Sequence, residues 1–207
     1  METSQYVDYI LDQTVSILNI DSPSSYSKEV TDYLIDTYHA MGYHAVRTVK
    51  GGVLVDLGGR DEDNTLVMEA HADTLGAMVA EIMANGRLRL SRIGGMNPNN
   101  AESENCHVIT RSGKKYEGTF QLKNASIHVN PDYNTTERTY HTMELVLDEN
   151  VKSKEDVLAL GILPGDIVCF EPRTRITDSG YIKSRFLDDK LSVGILLGFA
   201  KYLKEEN

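Results

Sequence analysis

The chain has 207 residues, of which 31 are acidic and 21 basic, so its formal net charge at pH 7 is −10. An acidic surface does not attract nucleic acid or anionic membranes, and we expect neither as a partner. The longest apolar run, residues 193–200, is shorter than the roughly 20 residues that a membrane helix requires. The first ten residues lack the basic and apolar segments of a signal peptide, so we expect a cytoplasmic protein.

The first third of the chain alternates between helical and strand patterns. Apolar residues recur at helical spacing over residues 4–18 and 30–41. Short β-rich runs follow at residues 44–49, 53–57 and 66–70. This alternation predicts a layered α/β sheet with flanking helices.

The middle of the chain has a different pattern: short β-rich runs are separated by Gly and Asn turns. The runs lie at residues 77–83, 87–93, 106–110, 115–122, 126–129 and 142–147. They predict a small β-barrel or sandwich. A short helix with a capping-box start at Ser153 follows, then a strand at 167–171. The two cysteines, Cys106 and Cys169, lie in strand-like runs and are predicted to be buried thiols.

The last element is helical, over residues 191–203, and the chain returns to an α/β pattern near residue 177. We therefore predict an α/β domain at residues 1–74, an inserted β-rich domain at 75–176 and a continuation of the first domain at 177–207.

The first candidate site follows an apolar run that ends at Met68. His71 can offer an imidazole nitrogen to a metal ion, and Asp73 can accept the other ring N–H and so orient the ligand. A solvated loop histidine beside an acidic residue is the alternative interpretation of this motif.

The second candidate site is Asp188-Asp189, which precedes the last helix. Acidic side chains at a helix N-terminus are stabilised by unpaired N–H groups, so a purely structural role accounts for the pair. A carboxylate that bridges two cations is the functional alternative.

Five segments, in chain order, carry a resemblance to a known family. They are DSPSSYSKEV (21–30), LVMEAHADTLGAMV (66–79), GRLRLSRIGG (86–95), KSKEDVLALGILPGDIVCFEP (152–172) and SGYIKSRFLDDKLSVGILL (179–197). With them the chain resembles the M42 metallo-aminopeptidases, the group of glutamyl aminopeptidases and tetrahedral aminopeptidases. The resemblance implies a peptidase-type mixed sheet with flanking helices, interrupted by a small β-barrel.

The resemblance also implies a site with two divalent metal ions, Zn²⁺ or Co²⁺. His71 would bind one ion, Asp73 would be the catalytic residue that orients His71, and Asp188 would bridge both ions. Asp189 would shape a turn that contains an unusual peptide bond. Peptides would be the substrates, and a homo-oligomer the expected assembly.

The chain departs from the family pattern in three respects. Thr74 and Lys190 stand where Glu and Arg are usual. The chain supplies two of five implied metal ligands, and no residue matches the general-base Glu. We therefore expect a truncated N-terminal portion, inactive alone, whose partner is another copy or a missing C-terminal half.

Two other functions remain open at this point. One is a non-catalytic assembly or binding protein derived from the same family. The other is a glycoside hydrolase, which would need two carboxylates across a cleft and would leave His71 without a role.

Overall fold

The computed structural model describes residues 3–61 and 63–206 and divides the chain into two compact units. The first comprises Met1–Thr74 and Pro172–Asn207, and the second Leu75–Glu171. The sequence places the return to the first domain at residue 177, whereas the second unit ends at Glu171. The reason is a hairpin that Pro172 opens, since Arg185 N donates to Pro172 O at 2.8 Å.

In its described residues, the first unit consists of three helices and two short hairpins. The helices are α1 (Thr3–Leu18), α2 (Lys28–Ala40) and α4 (Leu187–Glu206), and the strands are β1 (Ala45–Arg47), β2 (Val53–Val55), β9 (Arg175–Ile176) and β10 (Ile182–Lys183). β1 pairs antiparallel with β2, and β9 with β10. The buried core is mainly helical and contains Ile17, Val30, Leu34, Tyr38, Ala45, Val193, Leu197 and Ala200.

Two glycines of α4 allow this helix to lie close to α1. A Cβ atom on Gly194 would lie 2.1 Å from Thr14 Oγ1, and one on Gly198 would lie 2.2 Å from Ile10 Cγ1. Both distances are shorter than any that a real Cβ atom keeps from a neighbouring heavy atom. A side chain would therefore not fit at either position, because packed interiors leave no spare volume. The close approach places the start of α4 beside the C-terminal half of α1.

The second unit is a closed antiparallel barrel of six strands. Its strands are β3 (Gly76–Ile82), β4 (Leu88–Ile93), β5 (Glu104–Ile109), β6 (Lys115–Leu122), β7 (Met143–Leu147) and β8 (Ile167–Phe170). Their order around the barrel is β3-β4-β7-β6-β5-β8, and β8 pairs with β3 to close it. Alternate residues of each strand point inward, as in β6, where Tyr116, Phe120 and Leu122 are buried.

A short helix, α3 (Lys154–Ala159), precedes β8. Ser153 accepts a hydrogen bond from Asp156 N, and the Asp156 carboxylate accepts one from Ser153 N, which completes the predicted capping box. The barrel and its capped helix confirm the expected mixed α/β fold with an inserted small β-barrel. Within residues 3–61 and 63–206, no helix is both long and apolar enough to cross a membrane.

The predicted strand at residues 66–70 is wrong. Residues 65–73 form no strand, and Leu66 and Val67 are 81% and 75% exposed. A strand needs the backbone groups of a neighbour. In the described part of the first unit, the sheets are the two-stranded pairs β1–β2 and β9–β10.

The predicted strand at residues 126–129 is also wrong, because this segment forms a turn. The N–H groups of Val129 and Asn130 both donate to Ser126 O, at 3.2 and 2.9 Å. The buried Asn130 side chain then donates to Asn124 O at 2.7 Å. An Asn side chain that bonds nearby backbone favours a turn over a strand.

Candidate metal centre

His71 and Asp188 meet in the first unit although 117 positions separate them in sequence. His71 Nε2 lies 3.0 Å from Asp188 Oδ1. His71 precedes Thr74 at the end of the first segment of the unit, whereas Asp188 lies at the start of α4. The fold therefore joins the two motifs that the sequence singles out.

Asp73 lies behind the other nitrogen of the same ring. His71 Nδ1 is 3.3 Å from Asp73 Oδ1 and 3.2 Å from the Asp73 backbone carbonyl oxygen. A hydrogen on Nδ1 can therefore be donated to Asp73. The imidazole lies between two carboxylates, one for each nitrogen.

Partial burial by itself would lower the pKa of His71, but its acidic neighbours reverse the shift. The hydrogen bond to Asp188, the bond to the Asp73 backbone and the charges of both carboxylates together raise the pKa of His71. Both ring nitrogens must carry hydrogen to donate to both carboxylates, and only the charged imidazolium does so. A cation at Nε2 would take the place of that second hydrogen.

A turn of unusual backbone geometry presents Asp188. The peptide bond between Asp188 and Asp189 is cis, and Phe186 has a φ of 65°. Asp188 has non-helical dihedral angles at the start of α4. The Asp188 side chain is 96% exposed, so the backbone and not side-chain packing determines its position.

Lys190 anchors this turn from inside the protein. Its side chain is fully buried, and its Nζ donates to Ile17 O at 2.9 Å and to Ile20 O at 2.7 Å. These carbonyls lie at the C-terminal end of α1, where a positive charge is favourable. Lys190 departs from the family pattern, and its sequence context does not predict this role.

The loop that carries His71 and Asp73 is tied to residues 22–24. Thr74 N donates to Ser22 O at 2.8 Å, and Ser24 N donates to Thr74 O at 3.2 Å. Ser24 also donates its hydroxyl to Asp73 Oδ2. Thr74 is buried in this bridge. The sequence does not predict a role for Ser22 or Ser24, since small polar residues around Pro23 are typical of any turn.

The donor set fits a divalent metal ion. Imidazole nitrogen and carboxylate oxygen are ligands that Zn²⁺ and related ions accept. Two ligand atoms that each lie about 2.0–2.2 Å from one ion are about 3–3.5 Å from each other, and the His71–Asp188 pair is 3.0 Å apart. His71 is 54% exposed, so solvent can reach it.

Comparison with known proteins identifies the lineage of the chain. The profile of the M42 glutamyl aminopeptidases matches residues 51–207. The chain belongs to this family. The M42 chain is 44% identical over 191 residues to the Bacillus subtilis protein YhfE, which carries an aminopeptidase name; the match covers 92% of the chain and 55% of YhfE.

Solved structures share the fold of the M42 chain. An aminopeptidase from Desulfurococcus kamchatkensis matches it with a TM-score of 0.80 at 24% identity, over 96% of this chain and 52% of that protein. A Pyrococcus horikoshii peptidase, described as assembling into a tetrahedron or a large octahedral shell, matches with a TM-score of 0.80 at 22% identity, over 95% of this chain and 57% of that one. The M42 chain spans about half the length of the curated relatives it matches.

Proposed function

We propose that this chain forms part of the metal centre of an aminopeptidase that removes N-terminal residues from peptides. The observation that carries the proposal is the 3.0 Å approach of His71 Nε2 to Asp188 Oδ1. Asp73 stands behind the other ring nitrogen of His71. Membership of the M42 family supports peptides as the substrates.

Two divalent ions, Zn²⁺ or Co²⁺, are the proposed cofactors. His71 Nε2 would hold one ion, and the exposed Asp188 carboxylate would offer an oxygen to each. When bound, such ions polarise a scissile carbonyl and lower the pKa of a coordinated water to about 7. Asp73 accepts the Nδ1 hydrogen, which fixes the tautomer whose Nε2 lone pair is free for a metal.

A complete centre needs more ligands than these. The resemblance implies five ligands and a general-base Glu, and within residues 3–61 and 63–206 we assign only His71 and Asp188 as ligands. We propose that another polypeptide segment completes the centre. Loss of a general base alone costs roughly 10²–10⁴-fold in rate, so we expect weak metal binding and no turnover from this chain alone.

We also propose that the protein forms a homo-oligomer in the cytoplasm. The shell-forming Pyrococcus horikoshii peptidase supports assembly. The rival glycoside hydrolase function gains nothing from the geometry, because both aspartates converge on one imidazole instead of facing each other across a cleft.

The test combines metal titration with a peptidase assay on protein verified as 207 residues by mass. Calorimetric titration with Zn²⁺ and Co²⁺ should show weak binding that His71→Ala and Asp188→Ala abolish. The control His128→Ala removes an exposed histidine of the barrel unit and should leave binding unchanged. Short peptides with added Zn²⁺, Co²⁺ or Mn²⁺ should release no N-terminal residue.

Two results would contradict the proposal. If the His71→Ala protein still binds metal, His71 is not a ligand, and this result favours the non-catalytic alternative. Robust turnover that His71→Ala abolishes would show that residues of this chain complete the centre, and our ligand count would then be wrong.

A further inference from the structure

Two serines hold the loop that carries the candidate ligand His71. Ser22 Oγ donates to Ala72 O at 2.8 Å, and Thr74 N donates to Ser22 O at 2.8 Å. Ser22 is fully buried. Its two hydrogen bonds therefore brace the backbone of the loop.

Ser24 makes a different contact, with the side chain of Asp73. Its hydroxyl donates to Asp73 Oδ2, while the other carboxylate oxygen, Oδ1, lies 3.3 Å from His71 Nδ1. The two oxygens of Asp73 are thus divided between Ser24 and His71. A carboxylate held at one oxygen keeps a fixed plane, so its other oxygen keeps its place beside His71 Nδ1. The same ring nitrogen also lies 3.2 Å from the Asp73 backbone carbonyl oxygen.

The backbone around Ser24 is constrained so that its hydroxyl points to this carboxylate. Tyr26 N donates to Pro23 O at 2.7 Å and closes a tight turn. Within it, Ser25 has a φ of 74°, in the left-handed region that non-glycine residues rarely adopt. Pro23 forms an isolated parallel bridge with Thr74. This bridge fixes the position of the turn relative to the loop that carries His71.

We propose that Ser24 is a positioning residue of the metal centre. Its hydroxyl orients Asp73, Asp73 orients the imidazole of His71, and the imidazole then presents Nε2 toward Asp188 and the metal. The inference rests on the proposed function, since it assigns Ser24 a role at the same centre. The sequence motif contains His71 and Asp73. Ser24 adds a third residue to this series of contacts.

The experiment measures Co²⁺ affinity through the visible absorption of the bound ion, together with the melting temperature of each protein. Ser24→Ala should weaken Co²⁺ binding by roughly 10–100-fold, the usual effect of removing an outer partner of a metal ligand. Ser24→Thr keeps the hydroxyl and should restore the affinity to within about threefold of wild type. Ser22→Ala is the comparison variant, because it removes a brace of the loop backbone: it should lower the melting temperature and weaken the affinity less than Ser24→Ala does.

The outcomes separate this inference from the proposed function. If Ser24→Ala binds Co²⁺ like wild type while His71→Ala does not, Ser24 has no positioning role and the proposed function stands. If Ser24→Ala and Ser22→Ala weaken binding equally, both serines act through the loop backbone, and the inference fails. If neither wild type nor His71→Ala binds Co²⁺, the proposed function fails and this inference fails with it.

Discussion

At the scale of single residues, the chemistry of the site depends on polar groups held by a few specific bonds. His71 lies between the carboxylates of Asp73 and Asp188. The sequence identifies all three residues by type and spacing. It does not identify the groups that hold them, Ser24 and Lys190, because a serine in a turn and a lysine near a helix start are common in any protein.

We predict that Lys190→Met destabilises the protein by about 1–3 kcal/mol. The substitution keeps the volume but removes the Lys190 donor from the carbonyl of Ile20 and one of two donors from the carbonyl of Ile17. Buried acceptors that lose a partner cost about this much. Lys190 is fully buried. The measurement is urea denaturation followed by circular dichroism, with Lys50→Met at an exposed site as the control. An unfolding midpoint equal to or above that of wild type would contradict the prediction.

At the scale of elements, packing and capping determine where helices lie. α1 and α4 approach closely only because Gly194 and Gly198 have no side chains. The approach matters for the site, because Asp188 lies in the first turn of α4 and the carbonyls that bind Lys190 lie at and just beyond the C-terminal end of α1. A change far along the α1–α4 contact can therefore reach the candidate metal centre.

We predict that Gly198→Ala destabilises the first unit by about 1–3 kcal/mol, as overpacking of a filled core does. The added Cβ would lie 2.2 Å from Ile10 Cγ1 and 2.7 Å from Ile10 Cδ1. The double variant with Ile10→Ala should cost less than the sum of the two single changes, because the second change removes the clash. Additive effects in urea denaturation would refute this account, and Gly59→Ala, which meets no atom within 4 Å, is the control.

The cap of α3 predicts a specific response to acid. Hydrogen bonds from Lys152 N and from Ser153 lower the pKa of Asp156 below its ordinary value of 3.8. A carboxyl group with a lowered pKa in the folded state stabilises the protein above the unfolded value, and this contribution is lost as pH falls through the folded value. The melting temperature of Asp156→Asn should thus lie below that of wild type at pH 7, and the gap should narrow at pH 3. If the difference in melting temperature between the two proteins is constant from pH 7 to pH 3, the charge of Asp156 does not contribute to stability.

At the scale of the whole molecule, the chain builds two separate cores. The helical unit buries residues of α1, α2 and α4, whereas the barrel encloses its own apolar interior. Both cysteines, Cys106 and Cys169, are buried, and neither forms a disulfide. They belong to β5 and β8. Cys106 pairs with the buried Phe170, and its Sγ donates to Gly118 O of β6 at 3.4 Å, so this thiol is a probe of the barrel interior.

We predict that the Cys106 thiol, measured in a variant that carries Cys169→Ser, resists modification until the barrel opens. Burial raises the pKa of Cys106 well above its ordinary range, and the thiolate is the reactive form. Ellman's reagent at pH 8 should react with the native protein much more slowly than with protein in 6 M guanidinium chloride. Rapid reaction of this thiol in the native state would show that its strand opens without global unfolding.

The helices and most barrel strands were predictable from sequence because their signals are local. The helical spacing in α1 and α2, the capping box at Ser153 and the alternation in β6 each depend on neighbours a few residues apart. The His71 and Asp188 motifs were recognisable for the same reason. Residues 66–70 and 126–129 show the limit of local signals, since a β-rich run forms a strand only where another strand offers its backbone.

Among the contacts between distant residues, the family resemblance implied only that His71 and Asp188 share a centre, and the tertiary structure decided the rest. The structure placed Asp188 against His71 across 117 positions, Ser24 against Asp73 across 49, and Lys190 against Ile17 across 173. No periodicity or spacing encodes these contacts, because they depend on how α1, α4 and the His71 loop pack together. Local residue patterns determined the elements and the candidate ligands, whereas packing over long sequence separations determined the geometry that makes them a site.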